Sequence, residues 1–463
     1  MAAYKLIVQK FGGTSVEDAR AMSRSIKIVR DYGVGPRTRA LVVLSACSGV
    51  TNELIRLSEL SIKSDLHPAQ ATIDRLEARH ARIARELLPE GEVFDAVHGS
   101  LHSLWESVRL LARGVHLLGE LTPRNRDQFE SVGERASTLI FQAALSVAMR
   151  DKSIPVHLFD AREFFVTSGE FTAARPLLSE TTRHIKKVAQ ELASGAIGVT
   201  QGFIGATIEG ETTTIGRGGS DFSAAIMGVA LAAHAKVPEI QIWTDVAGIL
   251  TCDPRLVRGT RSIERISFQD ASELAYFGAK VLHPETIWPA VEKGIPVRVL
   301  SSKEPKKPGT TITTKASNSH PITGIALLRD VIAVRLGLSS IVQEAGVQQA
   351  IWDTLGETGA TPVAVAFSVG SALYVFRDAS PITALRAAME GRTKIEVESG
   401  RSLITLVGPG LREHAGIAAR IFRSLGRTNC EMISYGGSDR SINFLVDSDA
   451  AQGVLRKIHG EFF

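Results

Sequence analysis

Two glycine-rich segments place a charged side chain beside backbone amides that a phosphate group could approach closely. Residues 10–15 read Lys-Phe-Gly-Gly-Thr-Ser, and residues 213–221 read Thr-Thr-Ile-Gly-Arg-Gly-Gly-Ser-Asp. A single Gly-Gly pair is more often only a tight turn. Both segments, however, fall between a predicted strand and a predicted helix, and each carries a cation, Lys10 or Arg217. Because helix N-termini attract anions, the two segments together favour phosphate binding.

Neither segment has the spacing of the commonest nucleotide-binding loops. The sequence G-x-x-x-x-G-K-[ST] is absent from both, which disfavours a P-loop NTPase. No G-x-G-x-x-G follows the first predicted strand, which disfavours a dinucleotide-binding dehydrogenase.

The elements around these segments alternate between strand and helix. Residues 5–9 and 40–45 are apolar strand patterns, each followed by a small-residue loop and a helical pattern. Residues 68–149 are predicted to be almost entirely helical. Further strands are predicted at 156–159, 197–201, 239–243 and 296–300. This alternation predicts a layered α/β sheet with ligands at the carboxyl ends of its strands.

The character of the chain changes after residues 302–309, whose Pro, Lys and Gly content is typical of a linker. Two strand-helix-strand-strand patterns follow, at about 322–378 and 398–458. We interpret them as a degenerate repeat of small α+β units.

Composition narrows the class of protein. The chain has 463 residues, 44% hydrophobic and 22% charged, which predicts about three globular domains. Its net charge is 53 − 49 = +4, with no basic block, so nucleic-acid binding is not expected. The three cysteines have neither a disulfide framework nor metal-ligand spacing. We expect a cytoplasmic protein with no membrane association, because no apolar run could span a bilayer and a strand pattern near Tyr4 leaves no room for a signal peptide.

The ordered set of motifs resembles one known family. Residues 10–16 look like the opening signature of the aspartate kinases in the amino-acid kinase family. Later blocks match in the same order, at 200–204, 216–221, 243–245, 253–255 and 277–284. The C-terminal repeat resembles the ACT-type, ferredoxin-like regulatory domains of that family. The resemblance implies an αβα catalytic domain at 1–305, with a helical substrate-side insertion at about 65–150. It implies ACT-type domains at 322–397 and 398–463, with a strand in 322–335 available to both.

The activity that this resemblance implies is phosphorylation of the β-carboxylate of L-aspartate by ATP with Mg, giving 4-phospho-L-aspartate. That reaction is the entry to lysine, threonine and methionine synthesis. A carboxylate with a pKa near ~4 is already ionised at neutral pH, so the attack needs no strong general base. Catalysis should therefore consist of positioning and charge stabilisation.

Each residue that matches a family motif acquires an expected role. The catalytic residues are Lys10, which would stabilise the transferring phosphoryl group, and Asp221, which would orient Lys10. The substrate-binding residues are Ser45, Thr51, Glu134 for the ammonium and Arg217 for the α-carboxylate. The nucleotide-binding residues are Gly12, Gly13, Gly218, Gly219, Ser220, Thr244, Asp245, Arg255 and Lys280. Ser45 and Thr51 are equally suited to turns or helix caps, and Asp221 is also suited to serve as a helix N-cap in addition to its catalytic role.

Some positions depart from the family pattern. Val132 precedes Gly-Glu where relatives often have histidine, and Leu250 stands where they often have a nucleotide-contacting tyrosine. Val363 and Val369 stand where lysine-inhibited relatives have acidic residues, so we expect lysine to inhibit weakly. Pairing of ACT domains predicts a homodimer, with a higher homo-oligomer as an alternative.

Two other functions remain open from the sequence. One is a different amino-acid kinase of the same fold, and the other is a non-catalytic amino-acid sensor. A sensor would be expected to lose Lys10 or Asp221, and both are present.

Overall fold

The structure is a computed structural model that describes residues 4–216, 218–278, 284–316, 320–337 and 341–463, the last range with side chains from residue 346. The chain forms two compact units. The first unit contains Met1–Gly248 and Leu282–Thr314, and the second contains Ile249–Val281 and Lys315–Phe463. Among the described residues, we find no helix with the length and apolar character needed to cross a membrane.

The secondary structure is numbered along the chain. The strands are β1 (Lys5–Phe11), β2 (Thr38–Leu44), β3 (Val156–Phe159), β4 (Ile197–Gln201), β5 (Ile204–Ala206), β6 (Thr212–Thr214), β7 (Ile240–Thr244), β8 (Arg265–Ser267), β9 (Val297–Ser301), β10 (Thr310–Thr313), β11 (Gly324–Gly337), β12 (Ala364–Ser368), β13 (Ser371–Phe376), β14 (Ile395–Val407), β15 (Met432–Ser434) and β16 (Ser441–Asp447). The helices are α1 (Ala19–Ile28), α2 (Val50–Ser61), α3 (His67–Leu87), α4 (Glu92–Leu118), α5 (Pro123–Glu130), α6 (Val132–Ala148), α7 (Leu178–His184), α8 (Lys186–Ala193), α9 (Gly219–Ala232), α10 (Phe268–Tyr276), α11 (Trp288–Glu292), α12 (Ile341–Thr358), α13 (Ile382–Met389), α14 (Ile417–Leu425) and α15 (Ser448–Phe462).

The sheet of the first unit has β1 near its centre, in the order β3-β4-β2-β1-β7-β9-β10. Its pairs are parallel except β9 with β10, which is antiparallel. The chain leaves β1 towards β2 on one side and later returns to β7 on the other. The carboxyl end of β1 is therefore a switch point, where an open α/β sheet forms a crevice for ligands.

Helices cover both faces of this sheet. Ile7 and Val42 point into a core that is shared with α1 to α6. Val8 points the other way, towards Gly228 of α9, where an added Cβ would lie 3.6 Å from the Val8 Cγ2 atom. Strands buried on both faces carry continuous apolar runs, which is why residues 5–9 and 40–45 could be predicted as strands. The predicted α/β class is confirmed, as is the helical segment, which is α3 to α6.

The second unit contains a six-stranded antiparallel sheet in the order β12-β13-β11-β14-β16-β15. Its elements follow the pattern strand-helix-strand-strand-helix twice, first from β11 to α13 and then from β14 to α15. The α+β prediction is confirmed, and a closing helix is added to each repeat. β11 contributes Ile325 to one hydrophobic cluster and Val334 to the other.

Residues 249–281 belong to the second unit, although they precede the linker-like segment near 305. The Ile325 amide donates to the Thr251 carbonyl at 2.8 Å, and Thr251 Oγ1 lies 2.9 Å from His459 Nε2. Arg440 Nη1 lies 2.8 Å from Oδ1 of Asp270, whose side chain is 1% exposed. The two units are therefore not separated by a single point in the sequence. Each unit consists of two segments, because these contacts join residues that are far apart in the sequence.

Candidate active site

A buried ion pair marks the carboxyl end of β1. Lys10 lies opposite Val43 of β2 and Ile242 of β7 in the parallel register. Its Nζ is 2.7 Å from Oδ1 of Asp221, and the two side chains are 11% and 15% exposed. Asp221 is in the first turn of α9, whose N-cap is Gly218 in a left-handed conformation. Asp221 is thus not the cap residue, and its carboxylate is held by the lysine.

Nine of the predicted site residues line one cavity of about 670 Å³ beside this pair. They come from the loop after β1, the loop after β2 with the start of α2, the first turn of α6, and the first turn of α9. They are Lys10, Gly13, Ser45, Thr51, Glu134, Gly218, Gly219, Ser220 and Asp221. The cavity therefore joins segments that are more than 200 residues apart in the sequence.

Glycine allows the loops after β1 and β2 to approach each other. The Gly13 carbonyl accepts a hydrogen bond from the Ser48 amide at 3.1 Å. A Cβ on Gly13 would lie 3.0 Å from the Ala46 carbonyl oxygen, so a side chain would press the two loops apart. The Gly12 amide donates to the Trp243 carbonyl at 3.1 Å and is therefore already engaged. That bond holds the glycine-rich segment at residues 10–15 against β7.

Glu134 presents an unsatisfied acceptor to the cavity. The residue is 2% exposed. Its Oε1 accepts a hydrogen bond from the Ala46 amide at 3.1 Å, whereas its buried Oε2 has no hydrogen-bond partner in the described part of the chain. Burial, with a smaller contribution from Glu130, raises the pKa of Glu134 to about 8, although the Ala46 amide and Lys10 act in the opposite direction. A cation that reaches Oε2 would complete this site.

The two predicted hydroxyl groups lie on the same wall. The Ser45 amide donates to the Phe11 carbonyl at 3.2 Å, and the Ser45 carbonyl accepts from Ser137 Oγ at 2.8 Å. Thr51 is in the first turn of α2, where the N-cap is Gly49 and no side-chain cap bond is present. Thr51 therefore has no capping role, and its side chain lines the cavity.

Arg126 and Glu130 also line the cavity and were missed by sequence reasoning. Arg126 Nε lies 2.9 Å from Glu130 Oε1, in an i,i+4 pair on α5. Burial raises the pKa of Glu130, and Arg126 opposes that shift. The spacing of 126 and 130 was a usable signal, since both lie on α5 and residues four apart lie on one face of a helix.

The remaining predicted residues lie elsewhere. Thr244 ends β7, and its carbonyl accepts hydrogen bonds from the Ser302 amide at 2.7 Å and from Ser302 Oγ at 3.0 Å. Thr244 Oγ1 donates to the adjacent Asp245 Oδ1 at 3.3 Å. Arg255 is in the second unit, with an 82% exposed side chain paired to Asp253 at 2.7 Å. Arg217 and Lys280 lie outside the described residues.

Comparison with known proteins identifies the family. A model of the amino acid kinase family matches residues 5–301, and an ACT domain model matches residues 404–462. Lysine-sensitive aspartokinase 3 of Escherichia coli is 34% identical over 469 residues, covering 99% of each chain. The chloroplastic aspartokinase 2 of Arabidopsis thaliana is 32% identical, over 98% of this chain and 84% of that one.

Solved structures give the same result. E. coli aspartokinase III in complex with aspartate and ADP (R-state) has a TM-score of 0.79 at 32% identity, covering 99% of this chain and 100% of that one. The complex of E. coli aspartokinase III with lysine and aspartate (T-state) has a TM-score of 0.83, also at 32% identity, covering 99% of each chain. The chain belongs to the amino acid kinase family and carries an ACT domain in its C-terminal part. Within that family it is an aspartokinase, as its full-length similarity to these enzymes shows.

Proposed function

We propose that this aspartokinase transfers the γ-phosphoryl group of ATP to the β-carboxylate of L-aspartate, using the cavity beside the Lys10–Asp221 pair. The observation that carries the proposal is the buried, unpartnered Oε2 of Glu134 in the same cavity as the Lys10 ammonium. An amino-acid substrate brings an ammonium and two carboxylates, and these groups are complementary to an acid and nearby cations. The similar E. coli aspartokinase III has been solved in complex with aspartate and ADP.

Glu134 would accept the substrate ammonium, which compensates an otherwise costly buried carboxylate. The carboxylates of aspartate require cations or hydroxyl donors. Arg217 would hold the α-carboxylate by analogy with the family motif, and the guanidinium of Arg126 is a second cation on the cavity wall. The hydroxyls of Ser45 and Thr51 would donate to the carboxylate that reacts.

In the chemical step, a β-carboxylate oxygen forms a bond to the γ-phosphorus while the bond to the bridging oxygen of ADP breaks. No proton has to be removed, because the carboxylate is already ionised. Lys10 would neutralise charge that accumulates on the phosphoryl oxygens, and Asp221 would keep its ammonium in place. The N-terminus of α9 would add the positive end of the helix dipole.

The nucleotide would lie along the second glycine-rich segment. We assign Gly218, Gly219 and Ser220 to its phosphates and Gly13 to the phosphate that is transferred. Gly12, whose amide is bonded to the Trp243 carbonyl, would instead leave space beside the Lys10 ammonium. Thr244 and Asp245, at the carboxyl end of β7, would contact the ribose or adenine. Arg255 and Lys280 remain predictions from the resemblance.

The cavity also fits a magnesium ion bound together with ATP. Mg²⁺ is commonly held by one or two carboxylates together with substrate phosphates and water. Asp221 is a carboxylate donor beside the Lys10 ammonium, and its partly exposed position leaves room for a second interaction. Magnesium bound with the nucleotide supplies neutralisation of phosphate charge. Lys10 and Asp221 would orient the phosphates from the protein side.

We further propose that the product enters lysine, threonine and methionine synthesis in the cytoplasm, and that the protein is a homodimer through its ACT-type unit. β12 and β15 are the outer strands of the second unit's sheet, and outer strands leave backbone groups available for pairing. Phe367 on β12 and Val369 just beyond it are 52% and 87% exposed, and Trp352 is 49% exposed. Such exposed apolar side chains favour burial in an assembly.

A coupled assay of ADP release tests the proposed function. Aspartate, glutamate and N-acetylglutamate should be offered in parallel with ATP and Mg²⁺. We expect turnover with aspartate only, and loss of that turnover in the Lys10→Ala variant. Preferred turnover of glutamate or N-acetylglutamate would identify a different amino-acid kinase. No turnover with any acceptor, together with measurable binding of aspartate, would identify a sensor.

A further inference from the structure

A second cavity, of about 460 Å³, lies in the first unit beside α6. Arg135 of α6 lines this second cavity. The preceding residue, Glu134, lines the first cavity, beside the Lys10–Asp221 pair. Asp160, just after β3, and Gln201, the last residue of β4, lie at the carboxyl ends of two parallel strands. Three serines of α4 form another wall, namely Ser100, Ser103 and Ser107. Ends of parallel strands are where α/β sheets bind ligands.

Arg135 is a partly buried cation that the protein does not neutralise. Its guanidinium has no hydrogen bond or ion pair to any residue that the structure describes. Burial and the positive charge of Arg162 lower the pKa of Arg135 to about 10, although Asp160 opposes this shift. The guanidinium, with its five N–H donors, lines the cavity without an acceptor among the residues that the structure describes.

Asp160, the acidic residue that also lines this cavity, forms an ion pair with Arg162. Asp160 holds Arg162 through two contacts, Nη2–Oδ2 at 2.5 Å and Nε–Oδ1 at 2.9 Å. These bonds hold the pKa of Asp160 below its usual range despite its burial. Of the two charged residues that line the cavity, Asp160 is therefore paired with Arg162, and Arg135 is the cation.

The serine wall can supply additional donors. The hydroxyl groups of Ser100, Ser103 and Ser107 donate to the carbonyls of Ala96 at 2.9 Å, Gly99 at 3.0 Å and Leu104 at 2.6 Å. Such bonds to the preceding helical turn are weak alternatives, and a hydroxyl can rotate away from them towards a ligand. Leu104, Leu139 and Leu158 supply apolar surface for a carbon skeleton.

We propose that this cavity binds a small organic anion, with the Arg135 guanidinium gripping one carboxylate or phosphate group and the α4 serines donating to its remaining oxygens. Guanidinium groups bind both anions bidentately, and that geometry is stronger than a single contact. The site is separate from the substrate cavity and does not depend on the proposed reaction.

Calorimetric titration of the full-length protein tests the proposal. Saturating aspartate and ADP should be present throughout, so that the substrate cavity is occupied. Inorganic phosphate and succinate are the two probes, and the tighter of the two identifies whether a phosphate or a carboxylate is the preferred group. We expect Arg135→Gln to weaken binding of that probe at least about tenfold. Arg135→Lys should retain part of the affinity, because the charge remains while the bidentate contact is lost.

The control variant is Arg150→Gln, which removes one positive charge from an exposed position shortly after the same helix. It should leave anion binding unchanged. Thermal unfolding of every variant verifies that the fold is intact. Equal affinity in Arg135→Gln and wild type would overturn the proposal, as would failure of the wild-type protein to bind either probe at about ten millimolar.

Discussion

Lys10 and Asp221 depend on each other for their position in a largely buried site. Neither carboxylate nor ammonium would be stable there alone, because an unpaired buried charge is costly. The 2.7 Å contact orients the ammonium towards the cavity that also holds Glu134. Both residues were predictable from sequence because they match family motifs, one near the end of a buried strand and the other in the first turn of a helix after a glycine pair.

Replacing either member of this pair should remove catalysis more than binding. We expect Lys10→Ala and Asp221→Ala each to reduce kcat by at least about a hundredfold, as for loss of one group that stabilises transition-state charge. Steady-state kinetics with aspartate and ATP measure the effect. Lys63→Ala, at an exposed position after α2, is the matched control and should keep wild-type kcat. A folded Lys10→Ala protein with normal kcat would exclude the lysine from the reaction.

Glu134 should make aspartate binding depend on pH. Its pKa of about 8 means that the empty site is mostly protonated at lower pH, whereas a bound ammonium needs the carboxylate. The KM for aspartate should therefore fall as pH rises towards 8, by up to about tenfold per unit, and then level off. Initial rates measured from about pH 6 to 9 give the profile.

Glu134→Gln should raise this KM and abolish its pH dependence, while the KM for ATP stays nearly constant. The same shift affects stability, because the folded pKa lies above the ordinary value of 4.5. Without substrate, the protein should lose stability as the pH rises from about 4.5 to about 8, and the Glu134→Gln variant should lose less. An unchanged pH profile in Glu134→Gln would show that another group titrates.

Arg126, Glu130 and the engaged Gly12 amide show what residue patterns leave out. A motif identifies residue types, but the acceptor of the Gly12 N–H is a carbonyl of β7, more than 200 residues away. The side chains of Arg126 and Glu130 enter the cavity because α5 packs beside α2, which no local pattern specifies. The i,i+4 spacing of Arg126 and Glu130 predicts only that the two side chains lie on the same face of a helix.

The parallel sheet brings together the loops that form the site. Continuous apolar runs predicted most of its strands, since strands buried on both faces need no polar alternation. The order of the strands was not predictable, because β4 inserts between β2 and β3 through packing between distant segments. Adjacent carboxyl ends of β1 and β2 follow from that order, and with them the joined loops around Gly13.

Gly133 allows α6 to pack closely against the loop after β2, which places Glu134 at the cavity. A Cβ at this position would lie 2.7 Å from the Ala46 Cβ and 3.2 Å from the Val50 Cγ1. Gly133→Ala should push α6 away, weaken the Glu134–Ala46 hydrogen bond and raise the KM for aspartate. Overpacking should also lower the free energy of unfolding by about 1–3 kcal/mol.

Urea unfolding and aspartate kinetics measure these two effects. Gly99→Ala is the control, because an added Cβ there has nothing within 4 Å and alanine favours the interior of α4. It should leave the KM unchanged and keep or increase stability. A Gly133→Ala variant that matches wild type in both measurements would show that α6 has more freedom than its contacts suggest.

The expected response to lysine depends on two valines of the second unit. Val363 is 6% exposed immediately before β12, and Val369 is 87% exposed between β12 and β13. Neither side chain can accept a hydrogen bond from a lysine ammonium. An enclosed ammonium without an acceptor loses on the order of 1–3 kcal/mol, or roughly a tenfold to hundredfold in affinity.

We therefore expect lysine alone to inhibit weakly, although the similar E. coli enzyme is named as lysine-sensitive. An effector shifts an equilibrium only by its differential binding, so lost affinity means lost inhibition. Titrating activity with lysine, threonine and methionine, singly and in pairs, measures the response. Strong inhibition by submillimolar lysine would mean that other residues hold the ammonium.

The interleaving of the two units also sets an order of events during synthesis. All strands of the first unit exist once residue 314 has been made, whereas residues 249–281 need partners from the end of the second unit. Asp270 is separated from Arg440 by 170 residues. At ~5–20 residues per second, that separation corresponds to roughly 10–30 s of translation. The first unit can fold once residue 314 has been made, 44 residues into that interval, and Asp270 stays without its arginine partner for the other 126 residues.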